Sequence, residues 1–197
     1  STSEILNDLE KESEDKVFQR VEKRYKGLLG LRELLGDKNI EYEHNFGFEI
    51  FTETDSQSFR ECESKLEYLN TQLKSITRDN TYTIKNEHIA NFGLSNVENL
   101  IQNKFEGQLD TGKMMFVLSE KVRQSGVNFL NGLEVKQIYN ESSGVILMTS
   151  EGFKIKTGKV IICTNGFVKE FLSDLSITPG RAQVMITNEI NNLKLCG

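Results

Sequence analysis

Apolar residues spaced by threes and fours, and later by twos, divide the chain into a helical half and a strand-rich half. Leu6, Leu9, Val17, Val21, Tyr25, Leu28, Leu31 and Leu35 recur at helical spacing over residues 3–36. The pattern weakens over 10–16, so either one long helix with a break or two abutting helices is expected. Ser1 and Glu4 have capping-box spacing, and Gly36-Asp37 closes the segment. Alternation over 41–44 and 48–52 predicts a hairpin-like pair hinged near Asn45-Phe46-Gly47. A second helix starts at Thr54 or Asp55 and reaches about Ile76, with Phe59, Cys62, Leu66, Leu69 and Leu73 on one stripe. Short strands follow at 82–84 and 97–101, with a helical turn between them at 86–92. Asp110 caps a helix to about Ser125, with Met114, Val117, Leu118 and Val122 as its apolar face.

From Val127 the period changes to two. Five short strands are expected at 127–129, 135–138, 145–148, 153–155 and 160–163, with turns at Gly132, Gly144, Gly152 and Gly158. Pro179, the only proline, separates this block from a last strand at 183–187. The run Val160-Ile161-Ile162-Cys163 reads as a strand buried on both faces. Thr164-Asn165-Gly166 and a short helical pattern at 167–172 follow it directly. A buried strand running into a small turn is where α/β folds place cofactors.

Composition narrows the possibilities. At 197 residues the chain holds one medium domain or two small ones. Hydrophobic content of 37% is below the usual range, which fits a long charged helical start or a surface that packs on further protein. A net charge of -5 argues against nucleic acid, and the basic run at 20–26 reads as a solvated helix face. No apolar run approaches the roughly 18 residues of a membrane span, so none is expected. The opening Ser1-Thr2-Ser3-Glu4 does not read as a signal peptide. Cys62, Cys163 and Cys196 are widely spaced, which fits a cytoplasmic protein with Cys163 as a small buried hydrophobe. No metal site is expected, since His44 and His88 lie far from each other and from the cysteines.

Motifs that carry chemistry are sparse. There is no G-x-S-x-G, and none of the 15 glycines forms a G-x-G pair, so the dinucleotide fingerprint and the P-loop are both absent. The acidic run at 10–15 reads as exposed helix surface, and His88 has no identifiable partner as a base. No catalytic residue can be assigned.

One order of segments is more informative. Glu106-Gly107-Gln108-Leu109-Asp110-Thr111-Gly112-Lys113 leads into a helix, then Gly126-Val127-Asn128-Phe129, then Leu133-Glu134-Val135-Lys136-Gln137-Ile138, then a meander up to Val160. This order resembles the C-terminal part of the FAD-binding domain of the D-amino-acid oxidase and glycine oxidase (DAO) family. The likeness covers roughly residues 90–190 well and 1–90 in outline.

The resemblance implies an α+β chain in an α/β family context. Partial FAD-binding elements with a three-stranded meander would be interleaved with a mixed or antiparallel substrate-domain sheet and long helices. The division expected is 1–40 as a helical segment, 41–105 with 178–197 as substrate-domain part, and 106–177 as FAD-domain part. Val135 would lie on the strand whose backbone binds the adenine, and Thr164, Asn165 and Gly166 would lie beneath the cofactor. Gln108 would face the substrate, and Arg181, with Gln183 nearby, would bind its carboxylate. The family's opening glycine fingerprint and its closing segment are not in this sequence. The chain therefore reads as the middle of a longer FAD enzyme that oxidises a C–N bond of an amine or amino acid by hydride transfer. By itself it is expected to bind no FAD and to be inactive. The competing reading is a non-catalytic scaffold or interaction domain built on the long N-terminal helix.

Overall fold

A computed structural model describes residues 1–180 and 182–188. The chain divides into two compact units, Ser1–Gly126 and Val127–Asn188. The architecture is α+β: helices with two small antiparallel sheets.

In the first unit, α1 (Thr2–Leu9) and α2 (Glu14–Leu35) are separate helices, with the break where the apolar pattern weakens. Ser1 caps α1 by accepting the Glu4 N–H. Arg20 of α2 spans the break, binding Asp8 at 2.6 Å and also Glu12. Gly36 ends α2 at φ 81°, in the left-handed region that favours glycine. β1 (Gly47–Phe51), α3 (Ser56–Thr77), β2 (Tyr82–Ile84), β3 (Asn99–Asn103) and α4 (Thr111–Gln124) follow. The sheet order is β1-β3-β2, antiparallel throughout.

Register decides which residues enter the core. Glu49 pairs with Ile101, Phe51 with Asn99, and Tyr82 with Asn103, so these share the helix-facing side. There Phe51, Tyr82 and Ile101 join Ile5, Val17, Phe59, Cys62, Leu69 and Leu73 in one core cluster. Each such side chain contributes roughly 1.5–3 kcal/mol by leaving water. The opposite side carries Phe48, Ile50, Leu100 and Gln102. Phe92, from the segment between β2 and β3, covers part of it, meeting Phe48 edge to face at 5.1 Å. Asn70 of α3 holds β2 in place. Its amide oxygen accepts the Thr81 and Tyr82 N–H groups at 2.9 and 2.8 Å, and its Nδ2 donates to the Tyr82 carbonyl at 2.8 Å.

The second unit holds a three-stranded meander, β4 (Val135–Glu141), β5 (Gly144–Thr149) and β6 (Lys154–Thr157), one strand earlier than the meander expected near 143–160. Ser142 and Ser143 make a two-residue turn between Glu141 and Gly144. Gly144 is required there: at φ 143° a Cβ would stand 2.5 Å from the Thr157 carbonyl oxygen. A 3-10 turn, Asn165–Glu170, comes after the meander.

Several expectations fail. Residues 41–44 and 48–52 do not pair as a hairpin: Glu43 bridges Gln108, while β1 pairs with β3. Residues 127–129 run irregularly. The strands expected at 160–163 and 183–187 do not form. Ile161 is 87% exposed and Met185 94%, and neither segment has a ladder partner among the described residues. A strand exists only where a neighbour takes its N–H and C=O groups, and an apolar run cannot supply that neighbour itself. Cys163, expected inside, is exposed for the same reason.

Candidate functional site

The cofactor residues expected from the sequence all lie in the second unit. Val135 is half-buried at the start of β4, opposite Thr149. A register shift between Val135 and Gln137 puts a bulge at Lys136. Glu134, and more weakly Glu170 and Glu151, hold the Lys136 ammonium above its ordinary range.

Thr164, Asn165 and Gly166 form the entry to the 3-10 turn. The Thr164 carbonyl accepts the Phe167 N–H at 2.9 Å. Asn165 adopts φ 46°, a conformation that asparagine tolerates better than most residues. Val168 anchors the turn from below at 9% exposure. The Thr164 Oγ1 is buried and has no hydrogen-bond partner among the described residues. An unpaired buried hydroxyl costs about 1–3 kcal/mol. Gly166 serves a close approach, but to this chain's own Pro179. A Cβ on Gly166 would come within 3.0 Å of the proline Cβ and Cγ.

Gln108 belongs to the first unit and is exposed. It exchanges two backbone hydrogen bonds of 2.9 Å with Glu43, and its Nε2 donates to Glu43 Oε2 at 2.9 Å. Hydrogen bonds from Asn45 and Gln108 hold the Glu43 carboxyl below its usual range. Gly107 permits this pairing, since a Cβ there would lie 2.5 Å from the Glu43 carbonyl oxygen. Asp110 caps α4, as its position implied, by accepting the Lys113 N–H at 2.8 Å. Arg181 lies outside the described residues. His88 stacks on Phe92 at 5.3 Å and stands 3.9 Å from Glu87.

Residues 5–195 match the family described as FAD dependent oxidoreductase (DAO). The chain belongs to this family. Solved DAO-fold structures resemble it. L-proline dehydrogenase from P. horikoshii superposes with a TM-score of 0.55 at 18% identity, over 78% of this chain and 40% of that one. Iminodiacetate oxidase from Chelativorans sp. BNC1 gives 0.59 at 16% identity, over 80% and 42%. Glycine oxidase from Geobacillus kaustophilus gives 0.55 at 16% identity, over 78% and 40%. The chain thus spans about two-fifths of the length of these relatives. No curated protein matches it.

Two features of this DAO-family chain escape a reading of the sequence. The Thr164 hydroxyl is one, because solvation depends on packing. The other is Tyr82, whose place at the start of a three-residue strand gives no hint of where its hydroxyl points. No described helix is long and apolar enough to cross a membrane.

Proposed function

We propose that this chain is an internal part of an FAD-dependent enzyme that oxidises the C–N bond of an amine or amino acid. The match of residues 5–195 to the FAD dependent oxidoreductase family is the observation that carries the reading. FAD, when bound, supplies the acceptor for a hydride leaving the carbon next to nitrogen, and water hydrolyses the resulting imine. The chain's own residues bind and orient. Val135 offers backbone groups to the adenine, and Thr164 and Asn165 offer polar groups beside a turn kept narrow by Gly166. Gln108 and Arg181 are assigned to the substrate, Arg181 to bind a carboxylate.

In this reading residues 41–105 and 178–197 belong to the substrate domain and 106–177 to the FAD domain. L-proline, iminodiacetate and glycine, named for the three relatives, all carry an amine next to a carboxylate-bearing carbon. An amino acid or N-substituted amino acid is accordingly the substrate class proposed. With no G-x-G pair to approach a pyrophosphate, the chain by itself holds no FAD.

The test is the visible spectrum of the full-length protein, followed anaerobically as amino acids are added. A flavin band that bleaches with an amino acid supports the proposal. A full-length protein without flavin absorption overturns it.

A further inference from the structure

The chain has two Asn-Gly dipeptides, Asn131-Gly132 and Asn165-Gly166, both in the second unit. Asparagine is among the thermally labile residues, and a following glycine leaves its backbone nitrogen unscreened by any side chain. The two dipeptides share this chemistry, but the fold treats them differently.

Asn131-Gly132 sits in a turn between α4 and β4, and both residues are exposed. Gly132 adopts φ 74°, and a Cβ there would have nothing within 4 Å. The Asn131 side chain and the Gly132 N–H have no hydrogen-bond partner among the described residues. Asn165-Gly166 is held more firmly. Asn165 opens a 3-10 turn closed by Phe167 N–H to the Thr164 carbonyl at 2.9 Å and by Phe171 N–H to the Val168 carbonyl at 3.0 Å. Gly166 is half-buried, and the Pro179 ring lies 3.0 Å from where its Cβ would be. A side-chain amide and the next backbone nitrogen must rotate into one ring before they react. The free turn permits that rotation, and the packed turn resists it.

We propose that Asn131 is a self-modification site, where the chain's own Gly132 nitrogen converts the side-chain amide to a carboxylate. The Gly132 nitrogen gives up its proton and attacks Asn131 Cγ. An N–Cγ bond forms, the Cγ–Nδ2 bond breaks, and Nδ2 takes up a proton and leaves as ammonia. Water then opens the cyclic imide at either carbonyl, giving an aspartyl or an isoaspartyl residue. Nothing is oxidised or reduced, and water is the only co-reactant. Either product adds one negative charge to a chain of net charge -5, just ahead of Val135 and β4. The isoaspartyl form also lengthens the main chain by a methylene. The reaction needs no flavin, so it stands or falls separately from the function proposed above.

The chain should be aged in mildly alkaline buffer, folded and in parallel unfolded in guanidinium, and its peptides mapped by mass spectrometry. Unfolded, the two sites should convert at similar rates. Folded, Asn131 should convert at least tenfold faster than Asn165, as aspartyl and isoaspartyl peptides that separate by chromatography. Gly132→Ala should slow conversion at position 131 at least tenfold and leave Asn165 as it was. Because alanine is strained at φ 74°, Asn131→Gln serves as a second variant. It should abolish the acidic species that isoelectric focusing shows accumulating in wild type. Equal rates at the two sites in the folded chain, faster conversion at Asn165, or an Asn131 that stays intact would overturn the proposal. So would undiminished conversion in Gly132→Ala, or the same acidic species in Asn131→Gln.

Discussion

Glu49, in the middle of β1, closes the N-terminus of α1 through Thr2: its Oε2 accepts the Thr2 N–H at 2.8 Å as well as the Thr2 hydroxyl. Its Oε1 accepts the Ser3 N–H at 3.2 Å and the Ser3 hydroxyl. The carboxylate thereby satisfies helix N–H groups that have no partner within the helix, at the end where the helix dipole favours negative charge. Burial pushes the Glu49 carboxyl up, but the hydrogen bonds from Ser3 and Thr2 outweigh it, and the net effect is a lowered pKa.

Glu49→Gln should therefore lower stability at pH 7 by about 1–3 kcal/mol. The folded carboxyl titrates below the usual 4.5, so its contribution is fully present above that value and is lost as pH falls through the folded pKa. Urea unfolding of both proteins from neutral to acid pH measures this. The gap between them should be widest at pH 7 and close in acid. A gap independent of pH would contradict the account.

Asn70 is the main polar link between α3 and β2, serving Thr81 N–H, Tyr82 N–H and the Tyr82 carbonyl. Asn70→Ala strands those groups, at about 1–3 kcal/mol for each one left buried and unpaired. A loss of about 2 kcal/mol or more in urea unfolding is expected, together with faster hydrogen exchange at Thr81 and Tyr82 than elsewhere in the sheet.

Gly107→Ala tests the pairing of Glu43 with Gln108. The new methyl would meet the Glu43 carbonyl oxygen at 2.5 Å and the Tyr42 hydroxyl at 2.6 Å. Backbone cannot yield cheaply, so a loss of roughly 1–3 kcal/mol is expected, as for other overpacked sites. Gly27→Ala, with nothing within 4 Å of its Cβ and a place inside α2, should instead be neutral or stabilising.

The helices were legible because their information is local. The three-to-four spacing, the Ser1 and Asp110 caps and the Gly36 stop all lie within a turn of the backbone they govern. The meander was legible for a similar reason, since its strands are joined by short turns. Residues 160–163 have the same apolar character, but a strand there needs a distant neighbour, and no local pattern supplies one. Glu49 shows the same limit at a single side chain. Alternation assigns it the face opposite Phe48 and Ile50, but its role depends on Thr2 and Ser3 arriving from forty-odd residues away. At the candidate site, Thr164–Gly166 could be singled out by residue type and order. The buried hydroxyl at Thr164 and the Pro179 contact at Gly166 emerge only once the chain is folded.

Thr164→Val should not destabilise the isolated chain. It replaces a buried hydroxyl lacking a hydrogen bond by a methyl of similar size, so stability should stay level or rise by about 1 kcal/mol. A clear loss in thermal unfolding would mean that the hydroxyl is satisfied in solution.

The same substitution in the full-length protein tests the central claim, that the turn at 164–166 approaches FAD. Gly166→Val is a weaker probe, because its side chain also presses on Pro179. Flavin content per mole should be measured for wild type, Thr164→Val and His88→Ala, each confirmed as folded. The account predicts stoichiometric flavin in wild type and in His88→Ala, and a folded, flavin-depleted Thr164→Val. Full flavin in Thr164→Val with loss in His88→Ala would contradict it.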